Sequence, residues 1–101
     1  MLIETTKEGD ILTVKLTSGE ELVGKLDSET DTHIKLKMPL TLIMSQQGVG
    51  LQQYLFTADP EKLLTINKTA IACFTATREE FAKAYQERTS GFVTPPKNFV
   101  V

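Results

Sequence analysis

Residues 16–36 read LTSGEELVGKLDSETDTHIKL: two glycines five places apart, apolar residues near every second position between them, then an Asp-x-His run. Just upstream, Leu12, Val14 and Leu16 fall on one face of an extended segment and Thr13, Lys15 and Thr17 on the other. Ser18-Gly19 supplies a turn, because glycine reaches the positive φ that a tight hairpin needs. The alternation then resumes. Leu22, Gly24 and Leu26 share one face; Glu21, Val23, Lys25 and Asp27 share the other. A glycine on the apolar face of a strand gives up packing. It belongs where the strand must bend hard or another backbone comes close. The stretch therefore predicts two strands of a small, strongly bent barrel.

The rest of the chain extends that pattern. The segment DSETDT is rich in side chains that favour turns. In HIKLKMPLTLIMS, the residues Ile34, Leu36, Met38, Leu40, Leu42 and Met44 alternate without a break, and Pro39 marks a bend or an edge because it donates no ladder hydrogen bond. QQGVG reads as a turn and LQQYLFTA as a fourth strand, punctuated by DPEK; LLTIN and AIACFTA are further extended runs flanking NKT. About five strands over residues 1–76 predict an all-β barrel. The period then changes. TREEFAKAYQER places Phe81 and Tyr85 four apart beside Ala82 and Ala84, which predicts a helix with a narrow apolar stripe. Thr77 and Glu80 fit a capping box, Glu79 and Lys83 a favourable pair, and Gly91 a C-terminal stop. Residues 77–101 are expected to form this helix and an extended tail, FVTPPKNFVV, packed on the barrel. Phe81 and Tyr85 are both expected to cover one face of the barrel or of a neighbouring subunit.

Composition sets outer limits. The 101 residues suit one domain, and the net charge of −2 excludes a uniformly basic surface while allowing a local basic patch. The opening MLIETTKEGD lacks the basic-then-apolar order of a secretory leader, and no apolar run has the length of a membrane span, so a cytoplasmic protein with no membrane partner is expected. The single Cys73 lies in the apolar run AIACF, where a buried inert thiol is expected. Asp27, Glu29 and Asp31 alternate faintly like a calcium loop, but Thr32 stands at the glycine place and Met38 at the bidentate glutamate place, so no metal site is assigned. GVG lacks a following Lys-Ser/Thr and cradles no phosphate. No enzyme chemistry and no cofactor are expected.

Val14-x-Leu16-x-x-Gly19-x-x-Leu22-x-Gly24-x-Leu26, followed by Asp31-x-His33-Ile34-x-Leu36, resembles the first motif of the Sm/LSm family. Residues 66–71, INKTAI, stand at the second motif, and Lys68-x-Ala70-Ile71 is similar to the version in bacterial Hfq. The resemblance spans residues 11–75. It implies a small, strongly bent five-stranded Sm-like (SH3-like) barrel with, here, a C-terminal α-helix. It also implies a homo-oligomeric ring in which the fourth strand of one subunit pairs with the fifth of the next. In RNA-binding members the two motif loops meet at the pore. Carried over by position, His33 would stack on a base and Asp31 would brace the loop. Lys35 stands at the base-reading asparagine place, and Asn67 and Lys68 stand at the arginine and glycine places. Gly19 and Gly24 are structural, as turn and bend.

The departures leave two functions open. Lys35 holds a phosphate but cannot copy an amide's paired donor and acceptor. His33 also reads simply as a solvated loop side chain, and Lys35 with Lys37 as the wet face of a strand. The chain is thus either a ring that binds single-stranded RNA near its pore or an oligomeric scaffold of the same fold without RNA. Fold alone does not choose, because function resides in sites.

Overall fold

The computed structural model describes residues 9–90. Six strands, β1 (Ile11–Leu16), β2 (Glu21–Glu29), β3 (His33–Ser45), β4 (Gly48–Gln53), β5 (Leu64–Asn67) and β6 (Ile71–Ala76), precede one helix, α1 (Glu79–Ser90). They form a single sheet in the order β4-β3-β2-β1-β6, with β5 also paired to β3. All of these pairings are antiparallel.

Two devices bend the sheet. In the β2–β3 ladder, Val23 faces Leu40 and Lys25 faces Lys37, so Gly24 alone opposes both Met38 and Pro39; further along, Asp27 is the extra residue in β2. These bulges increase local twist. Gly24 permits the first one. A Cβ there would lie 3.1 Å from Leu36 Cδ1 and 3.2 Å from Leu36 Cβ. Gly19 closes the β1–β2 hairpin at a φ of 112°, as its turn position requires.

β3 is long enough to serve two partners on the edge opposite β2. Its second half pairs with β4 and its first half with β5. The expected fourth strand, LQQYLFTA, is accordingly displaced. The chain turns at Gln46–Gln47, β4 begins at Gly48, and the sheet is abandoned after Gln53. Gln53 Nε2 there donates to the carbonyls of Leu55 and Ala58, and Asp59 Oδ1 accepts from the Glu61 N–H ahead of β5. Side-chain bonds to nearby backbone of this kind compete with a ladder.

Alternation puts Leu12, Val14, Leu16, Leu22, Leu26, Ile34, Leu36 and Ile66 inside the bend as one buried cluster. The outer face of the sheet carries a second, made of Val23, Leu40, Leu51 and Tyr85 of α1. Tyr85 is 2% exposed, whereas Phe81 is only partly buried, so one residue rather than two anchors the helix. The Tyr85 hydroxyl donates to the carbonyls of Lys37 (2.8 Å) and Met38 (3.0 Å). Those carbonyls lie at the bulge, where Met38 is held at a φ of 46°, an uncommon conformation for a side-chain-bearing residue. Burial pushes the Tyr85 hydroxyl up to about 12.

Two local expectations change. The helix starts after Arg78, whose carbonyl accepts from the Phe81 and Ala82 N–H groups. Thr77 still belongs to the sheet: its N–H donates to Ile11 O, and its hydroxyl lies 2.9 Å from that of Thr13. Cys73 is exposed rather than buried, because it faces Lys15 on the outward side of β6 and β6 is an edge strand. The Gly91 stop and the tail with Phe92, Phe99 and Val100 lie outside the described residues.

Candidate functional site

The β2–β3 loop and the turn after β5 meet at one end of the bent sheet. His33 opposes Asn67 across the β3–β5 ladder, and Lys35 opposes Thr65. The Lys68 N–H donates to Thr32 O at 2.8 Å, tying the second loop to the first. Lys68–Ala70 then forms a single 3-10 turn that delivers the chain into β6. Four of the residues singled out in the sequence, His33, Lys35, Asn67 and Lys68, therefore lie on neighbouring positions of adjacent elements. His33 and Lys35 are two apart on β3, on the face opposite the buried Ile34 and Leu36.

Hydrogen bonding within the first loop centres on Thr30. Its hydroxyl accepts from the N–H groups of Thr32 (3.3 Å) and His33 (3.1 Å), and its own N–H donates to His33 O at 2.8 Å. Asp31 is exposed beside this knot. The His33 ring is oriented by Nδ1, 2.7 Å from Thr32 Oγ1, which leaves Nε2 and the ring face for another contact. Lys68 is engaged: its ammonium lies 2.6 Å from Glu29 Oε2, with both side chains about one-third exposed. A pair so wetted contributes about 0–1 kcal/mol to stability, yet it offsets the one cation that the second loop places here. Thr30 and Glu29 were not legible as functional positions. Both sit in a segment that reads only as a turn, and Glu29 gains its partner 39 residues away.

The arrangement offers one oriented imidazole, one amide and one exposed ammonium, Lys35. That set suits stacking and charge contacts. Among the described residues no group of three or more His, Cys, Asp or Glu side chains is placed to hold a metal ion, and no helix is long and apolar enough to cross a membrane.

The sequence matches no protein-family model, and no curated protein is significantly similar to it. Solved structures do match in shape. A chain from the crystal structure of the NatC complex bound to CoA superposes with a TM-score of 0.50 at 15% identity, over 81% of this chain and 99% of that one. A heptameric archaeal Sm protein superposes with a TM-score of 0.49 at 14% identity, over 69% of this chain and 88% of that one. The fold is Sm-like. At such identities the likeness is one of fold alone. The strand before the 3-10 turn is split into β4 and β5 by residues 54–63.

Proposed function

We propose that this chain is a non-enzymatic, cytoplasmic Sm-like protein that assembles with copies of itself into a ring and binds single-stranded RNA at the His33 end. The barrel of residues 1–76 and the segment 77–101 act in this reading as one unit. The observation that carries the RNA reading is the His33–Asn67 cross-strand pair, locked by the Lys68 N–H to Thr32 O bond. It sets a stacking ring, an amide and the Lys35 ammonium on one surface, the combination that sequence-tolerant single-strand binding uses.

Assembly is supported by the sheet's free edges. Among the described residues β6 pairs only with β1, and its Phe74, opposite the buried Val14, is still 37% exposed. At the other end, the two-residue turn Gln46–Gln47 closes on the Ser45–Gly48 pair. That phase directs the backbone groups of Gly50 and Gln52 toward β3 and those of Val49, Leu51 and Gln53 toward the other edge, where the Leu51 carbonyl already accepts from Arg88 Nη1 at 2.5 Å and, among the described residues, the rest are open. Unpaired edges of this kind are an aggregation hazard that closed pairing removes. Size exclusion coupled to light scattering tests the ring, and a clean monomer at micromolar concentration sinks it.

Fluorescence anisotropy with a uridine-rich oligomer tests the RNA reading. Binding should weaken with salt, with a log–log slope of about −0.7 per phosphate neutralised. His33→Ala should lose about 1–3 kcal/mol of stacking with little change in that slope. Absence of binding to uridine- or adenine-rich oligomers at low salt removes the RNA reading. The scaffold reading then stands; the Lys68–Glu29 ion pair favours it, because it offsets a cation at the site.

A further inference from the structure

A second concentration of positive charge lies away from the loops. Lys25 and Lys37 are direct cross-strand partners on the outer face of the β2–β3 ladder. Like charges placed directly opposite destabilise a sheet. No carboxylate among the described residues relieves either lysine: the salt bridges there are Lys68–Glu29 and Arg78–Glu80. Both lysines line one open cleft of about 360 Å³, walled by Gln86, Thr89 and Ser90 of the last turns of α1. The helix end there is not a bare negative pole. Ser90 Oγ donates to Glu87 O at 3.1 Å and satisfies one terminal carbonyl, and Thr89 Oγ1 donates to Tyr85 O at 2.8 Å one turn earlier. The Gln86 amide adds a neutral donor.

We propose that this cleft is a phosphate-binding site, occupied by the backbone of the same single strand whose base stacks on His33. The proposal rests on the RNA reading for the source of the phosphate, but not for the site itself. His33, Lys35 and Lys37 succeed one another at alternate positions of β3. Alternate strand residues rise by about 6.6 Å, so His33 and Lys37 are separated by about 13 Å along one face. Lys35 stands midway. A strand leaving the loop end along β3 reaches the lysine pair within a few nucleotides, and its charge relieves their mutual repulsion.

The test uses the full chain and two probes. Inorganic phosphate, titrated by amide NMR, should shift Lys25, Lys37, Gln86 and Thr89 in the wild type and leave them still in Lys25→Gln/Lys37→Gln. It should also raise Tm only in the wild type. The double variant removes a repulsion, so it should fold at least as stably as the parent, which guards against a trivial loss. No phosphate-dependent shift at these positions overturns the site, whatever the RNA results. A uridine dinucleotide and an oligomer of about ten nucleotides then identify the source. The double variant should bind the dinucleotide as the wild type does. It should bind the longer oligomer more weakly, with a salt slope shallower by about 0.7 for each phosphate that the lysines no longer neutralise. Equal binding of the longer oligomer by both proteins, with the phosphate shifts intact, overturns the RNA source and leaves a site for a free phosphate compound. Failure of the wild type to bind either RNA removes the functional reading and with it the RNA source, while the phosphate titration still decides the cleft.

Discussion

β3 begins bare, is covered at Leu40 and runs out exposed at Ile43–Ser45. At its His33 end the outer face meets only loop side chains and one half-wetted ion pair; at its Leu40 end it lies under α1. The same strand, its alternation shifted by one place at the Met38-Pro39 bulge, thus carries two outer surfaces of different character. The covered end depends on Tyr85. Its ring packs on Val23, Leu40 and Leu51, while its hydroxyl serves the carbonyls of Lys37 and Met38 at the bulge. The bare end is held by short-range hydrogen bonds around Thr30 and by backbone pairing to β5. One end is built to stay; the other is held more lightly.

Removing the anchor of the covered end should have the largest effect. Tyr85→Ala should destabilise by about 4 kcal/mol, in the range for truncating a fully buried large aromatic, as read by urea denaturation. Tyr85→Phe separates ring from hydroxyl and should lose about 1–2 kcal/mol, because it deprives two carbonyls of their donor. The same hydroxyl predicts an alkaline transition. Its folded value, about 12, lies above the ordinary 10.0. The folded state therefore holds this proton more tightly than the unfolded chain. The resulting stability is complete below pH 10 and declines as pH rises toward 12, by about 2–3 kcal/mol in all. Tyr85→Phe should lack that component of the decline. Equal alkaline profiles for the two proteins would show that the hydroxyl is not buried.

How far the sequence foretold this contrast depends on the range of each interaction. The inner core was legible because strand alternation is local: Leu12, Val14, Leu16, Leu22, Leu26, Ile34 and Leu36 can be read from their spacing. Gly19 and Gly24 were legible because few other reasons place glycine in a hairpin and on an apolar face. The covered end was legible only in part. The 3.6-residue period identifies a stripe with Phe81 and Tyr85 but does not say which meets the sheet. That choice depends on where Thr77 releases the chain from β1. The split of the fourth strand depends on Gln53, whose amide draws the chain out of the ladder through hydrogen bonds that no periodicity reports. At the bare end the motif spacing located His33, Lys35, Asn67 and Lys68, but the partner of Lys68 was hidden by a separation of 39 residues.

The boundary between the two ends lies at Gly24, and Gly24→Ala tests whether the close approach there is required. The new Cβ would meet the fully buried Leu36 at 3.1 and 3.2 Å. Overpacking of that kind should cost about 1–3 kcal/mol. A neutral result would mean that Leu36 can give way and that the bulge is set by Met38-Pro39 alone. Phe81→Ala ranks lower, at about 1 kcal/mol, because its ring is only partly buried against the β1–β6 edge. A loss near 3 kcal/mol would mean that Phe81 is as deeply packed as Tyr85, and the single-anchor account of α1 would fail.

The smallest effect on stability should come from the bare end, where it is coupled to the largest effect on binding. Glu29→Gln removes the carboxylate 2.6 Å from Lys68 while keeping a side chain of the same size. Both partners are about one-third exposed, so the change in unfolding free energy should stay below about 1 kcal/mol. The Lys68 ammonium, released from its counter-charge, then faces the same surface as His33 and Lys35. If that surface takes a polyanion, Glu29→Gln should strengthen uridine-oligomer binding at low salt and steepen the salt slope by up to about 0.7. Lys68→Gln should do neither, since in the parent its charge is already offset. Opposite responses of two substitutions at one ion pair would locate the ligand beside it, and identical responses would mean that the pair only holds β2 to the 3-10 turn.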